Sequence, residues 1–291
     1  MQSKGVIQII VGACLFGLIP FFVRYAPELN LTTIVFGRAF FAALFALILI
    51  RFSPKKETTF LRNKKSDVFH LLIWTLCLLF AILSYFLSIK KGSVAIAGTM
   101  MGMHPIFVVL FSIIFFKERI YKLTYISCLL AIIGGVLILS NTNELTGTTI
   151  NGVLYGFASA FFLGLNFTYY LKYLSHFSSS KLVFLQNALQ LPVLLPFLLF
   201  NSSKINNNGW VAMLFLGVVC TGLAYFLVYN GSRVVKTQYI GVLQMIENVI
   251  PVLLGVYLYN EKIEEIQFLG ILIILFSAVL VSIKSNHSNN T

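Results

Sequence analysis

Three ionisable side chains stand where a charge is expensive. Arg38, His104 and Glu247 each fall inside a long apolar stretch, and an ionised group in such surroundings costs several kcal/mol unless it is paired or hydrated. Of the acidic residues, Glu247 alone lies well inside such a stretch; the single aspartate, Asp67, sits at an edge. A free imidazole titrates near neutrality, so His104 with Glu247 reads as a proton relay or a clamp for a zwitterion. A mutual structural hydrogen bond is the competing reading. Arg38 lies roughly two turns from the outer end of its stretch. It reads either as a guanidinium snorkelling outward or bonded to helix-end carbonyls, or as a contact for an anion or carboxylate.

Helical spacing groups further residues with these. Gly98, Met101 and His104 recur at i, i+3, i+6, and Gly241, Gln244 and Glu247 do the same, with Asn248 beside them. Phe16, Tyr85, Asn166 and Tyr225 extend the polar and aromatic set. Gln186, Asn187 and Gln190 are unusual for a lipid-facing helix and either line a cavity or bond to neighbouring helices. The expected substrate contacts are thus Phe16, Arg38, Tyr85, Met101, His104, Asn166, Gln190, Tyr225, Gln244, Glu247 and Asn248. Each aromatic taken singly also suits core or lipid, because the chain has 13 Tyr and 28 Phe.

The elements that must carry these side chains follow from composition. The chain has 291 residues, 58% hydrophobic and 10% charged, against about 25% charged in a soluble domain. Apolar segments fall at 5–25, 31–52, 68–89, 94–116, 122–140, 150–173, 181–200, 209–230, 238–259 and 265–284. At about 20 residues per crossing, ten transmembrane helices account for the chain and leave no room for a soluble domain. Gly5 to Tyr25 lacks a small-residue cleavage pattern and reads as a retained first helix and signal anchor. Cys14, Cys77, Cys128 and Cys220 lie in apolar runs without CxxC spacing and read as buried small hydrophobes. No cofactor is expected.

Counting Lys and Arg by alternate loops sets fifteen on the N-terminal side against five on the other, with Arg38 left inside a span. Both termini and the Phe52–Asp67 loop therefore belong in the cytoplasm of a cell (inner) membrane protein. The +12 net charge is then a topology signal and not a nucleic-acid patch.

The halves resemble each other. A shift of 143 puts Cys77 on Cys220, Ala81 on Ala224, Gly98 on Gly241, His104 on Glu247 and Glu118 on Glu261; a shift of 147 puts Gly5 on Gly152 and Gly17 on Gly164. Five helices is an odd number, so halves 1–143 and 144–291 insert with opposite orientation. Such inverted repeats place a site near the midplane at their interface. Gly152, Gly156, Ala160 and Gly164 form a small-xxx-small stripe suited to close packing, and Pro105, Pro192, Pro196 and Pro251 are candidate kinks. Glu118 and Glu261 beside Arg119 and Lys262 read as interfacial ion pairs.

Lys90 to Leu139 reads KKGSVAIAGTMMGMHPIFVVLFSIIFFKERIYKLTYISCLLAIIGGVLIL, and GVLQMIENVIPVLLGVYLYNEK occupies the matching place in the second half. Small residues open the fourth helix, a proline sits within it, a Glu closes it, and the fifth is glycine-rich. The pattern resembles the end of an EamA domain. That resemblance covers nearly the whole chain and implies the drug/metabolite transporter superfamily, with ten helices, two EamA repeats and a central cavity. The chain departs from the family in having Glu247-Asn248 where Glu-Pro is frequent, with its proline at Pro251.

The expected function is a secondary active or facilitative transporter, an exporter or exchanger. Its partners would be membrane lipid, a small polar metabolite (amino acids or related compounds foremost) and protons as a coupling ion. An intramembrane enzyme or a non-transporting sensor is the alternative. HExxH, GxSxG, paired intramembrane aspartates and a GxxxxGK[ST] loop are all lacking from the sequence.

Overall fold

The computed structural model describes residues 2–52, 64–92, 94–116, 147–200, 204–235, 246–259 and 264–284, with isolated positions among 126–137 and Ile240 and Gln244. The expected fifth helix, the basic residues of 53–63, Cys128, Gly241 and the charged ends at 118–119 and 261–262 lie outside the described residues. So do the side chains of Pro105, Asn248 and Pro251.

Every described element is helical: α1 (Gln2–Gly17), α2 (Ile19–Tyr25), α3 (Leu31–Arg51), α4 (Lys64–Lys91), α5 (Val94–Met101), α6 (His104–Phe116), α7 (Gly147–Tyr169), α8 (Ser179–Ala188), α9 (Gln190–Phe200), α10 (Asn207–Gly217), α11 (Ala224–Ser232), α12 (Ile246–Tyr259) and α13 (Glu265–Lys284). Lipid offers the backbone no partners, so apolar segments of this length close their hydrogen bonds internally. Among the described residues six stretches are long and apolar enough to cross a membrane: Lys4–Tyr25, Leu31–Arg51, Lys65–Lys91, Ile150–Leu174, Ser179–Phe200 and Asn207–Ser232. Asn side chains start two of them, Asn30 Oδ1 accepting from Thr33 N at 2.9 Å and Asn206 Oδ1 from Gly209 N at 2.7 Å. Large apolar side chains such as Phe80, Phe157, Phe197 and Phe276 stay exposed on the outside, where lipid tails replace water as solvent.

Proline breaks three of the segments, each just before its own position. Pro20, Pro105 and Pro192 have no N–H to give the carbonyl four residues earlier. α1 accordingly ends at Gly17, α5 at Met101 and α8 at Ala188. The fourth segment, expected to be one helix over 94–116, is therefore two helices joined at Gly102–Met103, where i→i+3 bonds tighten the chain: Met103 N to Met100 O and Ile106 N to Met103 O, both 3.0 Å. Pro196 lies inside α9 without ending it. Two π-helical turns, Tyr170–Leu174 and Val218–Leu223, interrupt the sixth and eighth segments. α4 begins at Lys64, so Asp67 stands in its first turn and not in a loop.

The halves interleave. α4 packs along α7 and α1 along α11, α3 lies against α8, α9 and α10, α5 meets α12, and α6 and α12 lie on α7 and α1 respectively. Exchanging the two halves of the chain maps most of these neighbours onto one another: α4 on α7 onto α11 on α1, and α6 on α7 onto α12 on α1. Glycines make the close approaches. A Cβ on Gly164 would stand 2.5 Å from Phe107 Cβ and 3.0 Å from the His104 carbonyl oxygen; one on Gly17 would stand 2.6 Å from Ile250 Cβ and 3.1 Å from the Glu247 carbonyl oxygen. Gly17 and Gly164 differ by 147, while His104 and Glu247, like Phe107 and Ile250, differ by 143. Both repeat offsets are thus realised at one pair of contacts.

Candidate functional site

Between the halves lies a cavity with about 70 Å³ in which the centre of a water molecule can move. A single water needs roughly 10–15 Å³ by this measure, so it has room for several waters. Its wall includes Phe16, Arg38, Tyr85, Met101, His104, Asn166, Tyr225, Gln244 and Glu247, nine of the residues singled out from sequence. Of the other two, Gln190 stands behind the wall and reaches the cavity through Arg38, and the side chain of Asn248 lies outside the described residues.

The break that Pro105 imposes has a chemical consequence. The Met101 carbonyl, left without its i+4 donor, accepts from His104 Nδ1 at 3.1 Å. A carbonyl only accepts, so Nδ1 carries the hydrogen. That same nitrogen lies 3.8 Å from Glu247 Oε1. His104 is 4% and Glu247 9% exposed, so both ionisable groups are enclosed and face each other across the repeat boundary. The separation exceeds a direct hydrogen bond.

Arg38 does not snorkel. It is 2% exposed, with Nη1 donating to Thr221 Oγ1 at 3.1 Å and Nη2 to Gln190 Oε1 at 2.9 Å. The helix-end reading of this arginine is overturned, because the close approach of α3 to α8–α11 puts neutral side-chain acceptors within its reach. Gln186 and Asn187 likewise turn inward: Gln186 Oε1 accepts from Tyr229 Oη at 2.8 Å, and Asn187 Nδ2 donates to the Val183 carbonyl at 2.8 Å. Asn166 is on the wall, yet its amide nitrogen is committed to the Trp74 carbonyl at 2.8 Å, tying α7 to α4. Ser159 Oγ to the Ala81 carbonyl at 2.9 Å and Ser88 Oγ to the Gly152 carbonyl at 2.6 Å complete that seam.

Sequence reasoning missed Ile82, Phe86, Leu163, Tyr170, Thr221, Val228 and Tyr229, which also line the cavity. The signal was present in the offsets. The shift of 143 pairs Ile82 with Tyr225, Tyr85 with Val228, Phe86 with Tyr229, Met101 with Gln244 and His104 with Glu247; the shift of 147 pairs Phe16 with Leu163 and Ile19 with Asn166. Every member of these pairs is on the wall. Tyr170 and Thr221 carry no such signal and arrive through the π turns, a feature frequent at functional sites. Aromatic rings continue from Phe16 to Tyr225 at 4.6 Å between centroids, then Tyr229 at 5.5 Å and Tyr170 at 4.8 Å.

Comparison with known proteins agrees with this architecture. The EamA-like transporter family matches twice, over residues 3–140 and 150–283. The uncharacterized transporter YxxF of Bacillus subtilis is 25% identical over 99% of this chain and 93% of its own length. An uncharacterized transporter of Archaeoglobus fulgidus is 27% identical over 95% of each chain, and the uncharacterized inner membrane transporter YicL of Salmonella typhimurium is 24% identical over 97% and 96%. A solved crystal structure superposes with a TM-score of 0.73 at 16% identity over 99% of each chain, which bears on the fold alone. With its apolar spans, paired repeats and central cavity, this chain belongs to the EamA-like transporter family and is a multi-pass membrane transporter for a small-molecule substrate.

Proposed function

We propose that the protein is a ten-helix secondary active or facilitative transporter, an exporter or exchanger in the cell membrane with both termini cytoplasmic. In this reading 1–143 and 144–291 are inverted five-helix repeats, and rocking of one against the other opens the cavity alternately to each side. Amino acids and related compounds are the substrate class. One observation carries the reading: a cavity walled by repeat-related residues holds an enclosed carboxylate, Glu247, with His104 Nδ1 at 3.8 Å. An enclosed carboxylate and imidazole offer two protonation states of the pair, and a cationic substrate group at Glu247 favours the ionised carboxylate. Substrate and proton thereby compete for or share one site, which is the physical requirement for exchange or proton coupling.

Reconstitution tests it. Purified protein in proteoliposomes should exchange labelled amino acids saturably, with a rate that varies with pH. Glu247→Gln keeps shape and hydrogen bonding and removes the charge; it should lower the rate at least tenfold or flatten its pH dependence. No flux of any amino acid from wild type, or a Gln variant with wild-type rate and pH profile, would overturn the proposal.

A further inference from the structure

The cavity holds a cation for which the described residues supply no paired anion. Arg38 is enclosed and permanently charged. Thr221 and Gln190, its two partners, are both neutral, and its Nε has none. Among the described residues no carboxylate pairs with it; the carboxylate on the same wall, Glu247, stands against His104 instead. A buried charge left without a counter-charge is among the more destabilising arrangements a fold can contain.

The surrounding structure does not relieve that charge but holds it in place. Gln190 is fully buried, and its Nε2 donates to the Gln186 carbonyl at 2.9 Å, which fixes the amide so that Oε1 faces Arg38. Gln186 is held in turn by the Tyr229 hydroxyl at 2.8 Å. Thr221 fixes the opposite side of the guanidinium from a π-helical turn. Arg38, Tyr225 and Glu247 all stand on the wall of the same cavity, so the guanidinium and the carboxyl look into one space from different places.

From this arrangement we infer that Arg38 is the receptor for an anionic group of the transported molecule, a carboxylate, and that Gln190 is its positioning residue. The inference rests on the transport reading and assigns the anionic end of its substrate to named residues. A carboxylate carries one charge and neutralises one guanidinium, with planar geometry suited to its N–H fork. A phosphate dianion would leave one negative charge uncompensated on a wall that already carries the Glu247 carboxyl. For a zwitterion, the carboxylate end lies at Arg38, the ammonium end toward Glu247, and the body among Phe16, Tyr85 and Tyr225.

The test uses the full-length purified protein and matched probes: L-leucine and L-phenylalanine, each beside its carboxamide, which keeps the body and the ammonium and removes the anion. Binding is read by thermal shift and by inhibition of exchange in proteoliposomes. Wild type should bind the acids at least tenfold more tightly than the amides. Gln190→Glu is near-isosteric and gives Arg38 an internal counter-ion. It should fold, with a raised melting temperature, lose at least tenfold in acid binding and keep amide binding. Arg38→Gln should abolish the discrimination, and Arg38→Lys should keep part of it. Equal binding of acid and amide by wild type, no binding of either acid, or unchanged acid binding in Gln190→Glu overturns the inference. Exchange that proceeds without acid/amide discrimination sinks this inference and leaves the transport reading standing. Discrimination in binding with no exchange of any probe does the opposite.

Discussion

His104 Nδ1 and Glu247 Oε1 stand 3.8 Å apart, one from each half of the chain, neither side chain more than a tenth exposed. The distance suits an ion pair better than a direct hydrogen bond. The break at Met101 sets it. Without Pro105 the Met101 carbonyl would have its helical donor, and His104 Nδ1 would lose the acceptor that now orients the ring.

If the two residues act as a unit, their substitutions will not add. Glu247→Gln and His104→Gln should each lower exchange in proteoliposomes by about tenfold or more, and the double variant should fall little below the worse single one. Additive losses in the cycle would mean independent roles.

Pro105→Ala restores an N–H for the Met101 carbonyl and joins α5 to α6. Removing the proline that separates the two helices should raise stability by about 1 kcal/mol, the worth of the gained helical bond, since proline in a first turn itself costs little. The readout is a higher melting temperature in detergent. Exchange should slow, because the imidazole loses its acceptor. A variant with both stability and rate unchanged would separate the break from function.

Gly164→Ala places a methyl 2.5 Å from Phe107 Cβ and 3.0 Å from the His104 carbonyl oxygen. Overpacking of this kind costs about 1–3 kcal/mol and should also displace His104. Lowered melting temperature and lowered exchange are expected together. Leu154→Ala on the same helix, where Leu154 is 60% exposed, should change neither by much.

Topology follows from the basic residues. A membrane-impermeant maleimide added to intact cells should label Lys204→Cys and miss Thr58→Cys, with native cysteines replaced. The reverse pattern would invert the protein in its membrane.

Much was legible in one dimension because hydropathy and charge act locally. The apolar stretches had to be helices, since lipid leaves no other partner for the backbone. Enclosed ionisable groups announced a site, and the two offsets marked related positions before any contact was visible. Even the helix breaks are local, given that Pro20, Pro105 and Pro192 remove one donor each. What the sequence left open was partnership. Arg38 could snorkel or turn inward, and the choice lay with Gln190 and Thr221, 152 and 183 residues away. Gln190 has the composition of a cavity residue and the placement of a supporting one, because Gln186 and Tyr229 hold it behind the guanidinium. Tyr170 and Thr221 reach the wall through π turns that no propensity signals. Polarity and length are properties of a segment, but the partner of a buried charge is decided by which distant helix packs against it, and only the tertiary structure holds that choice.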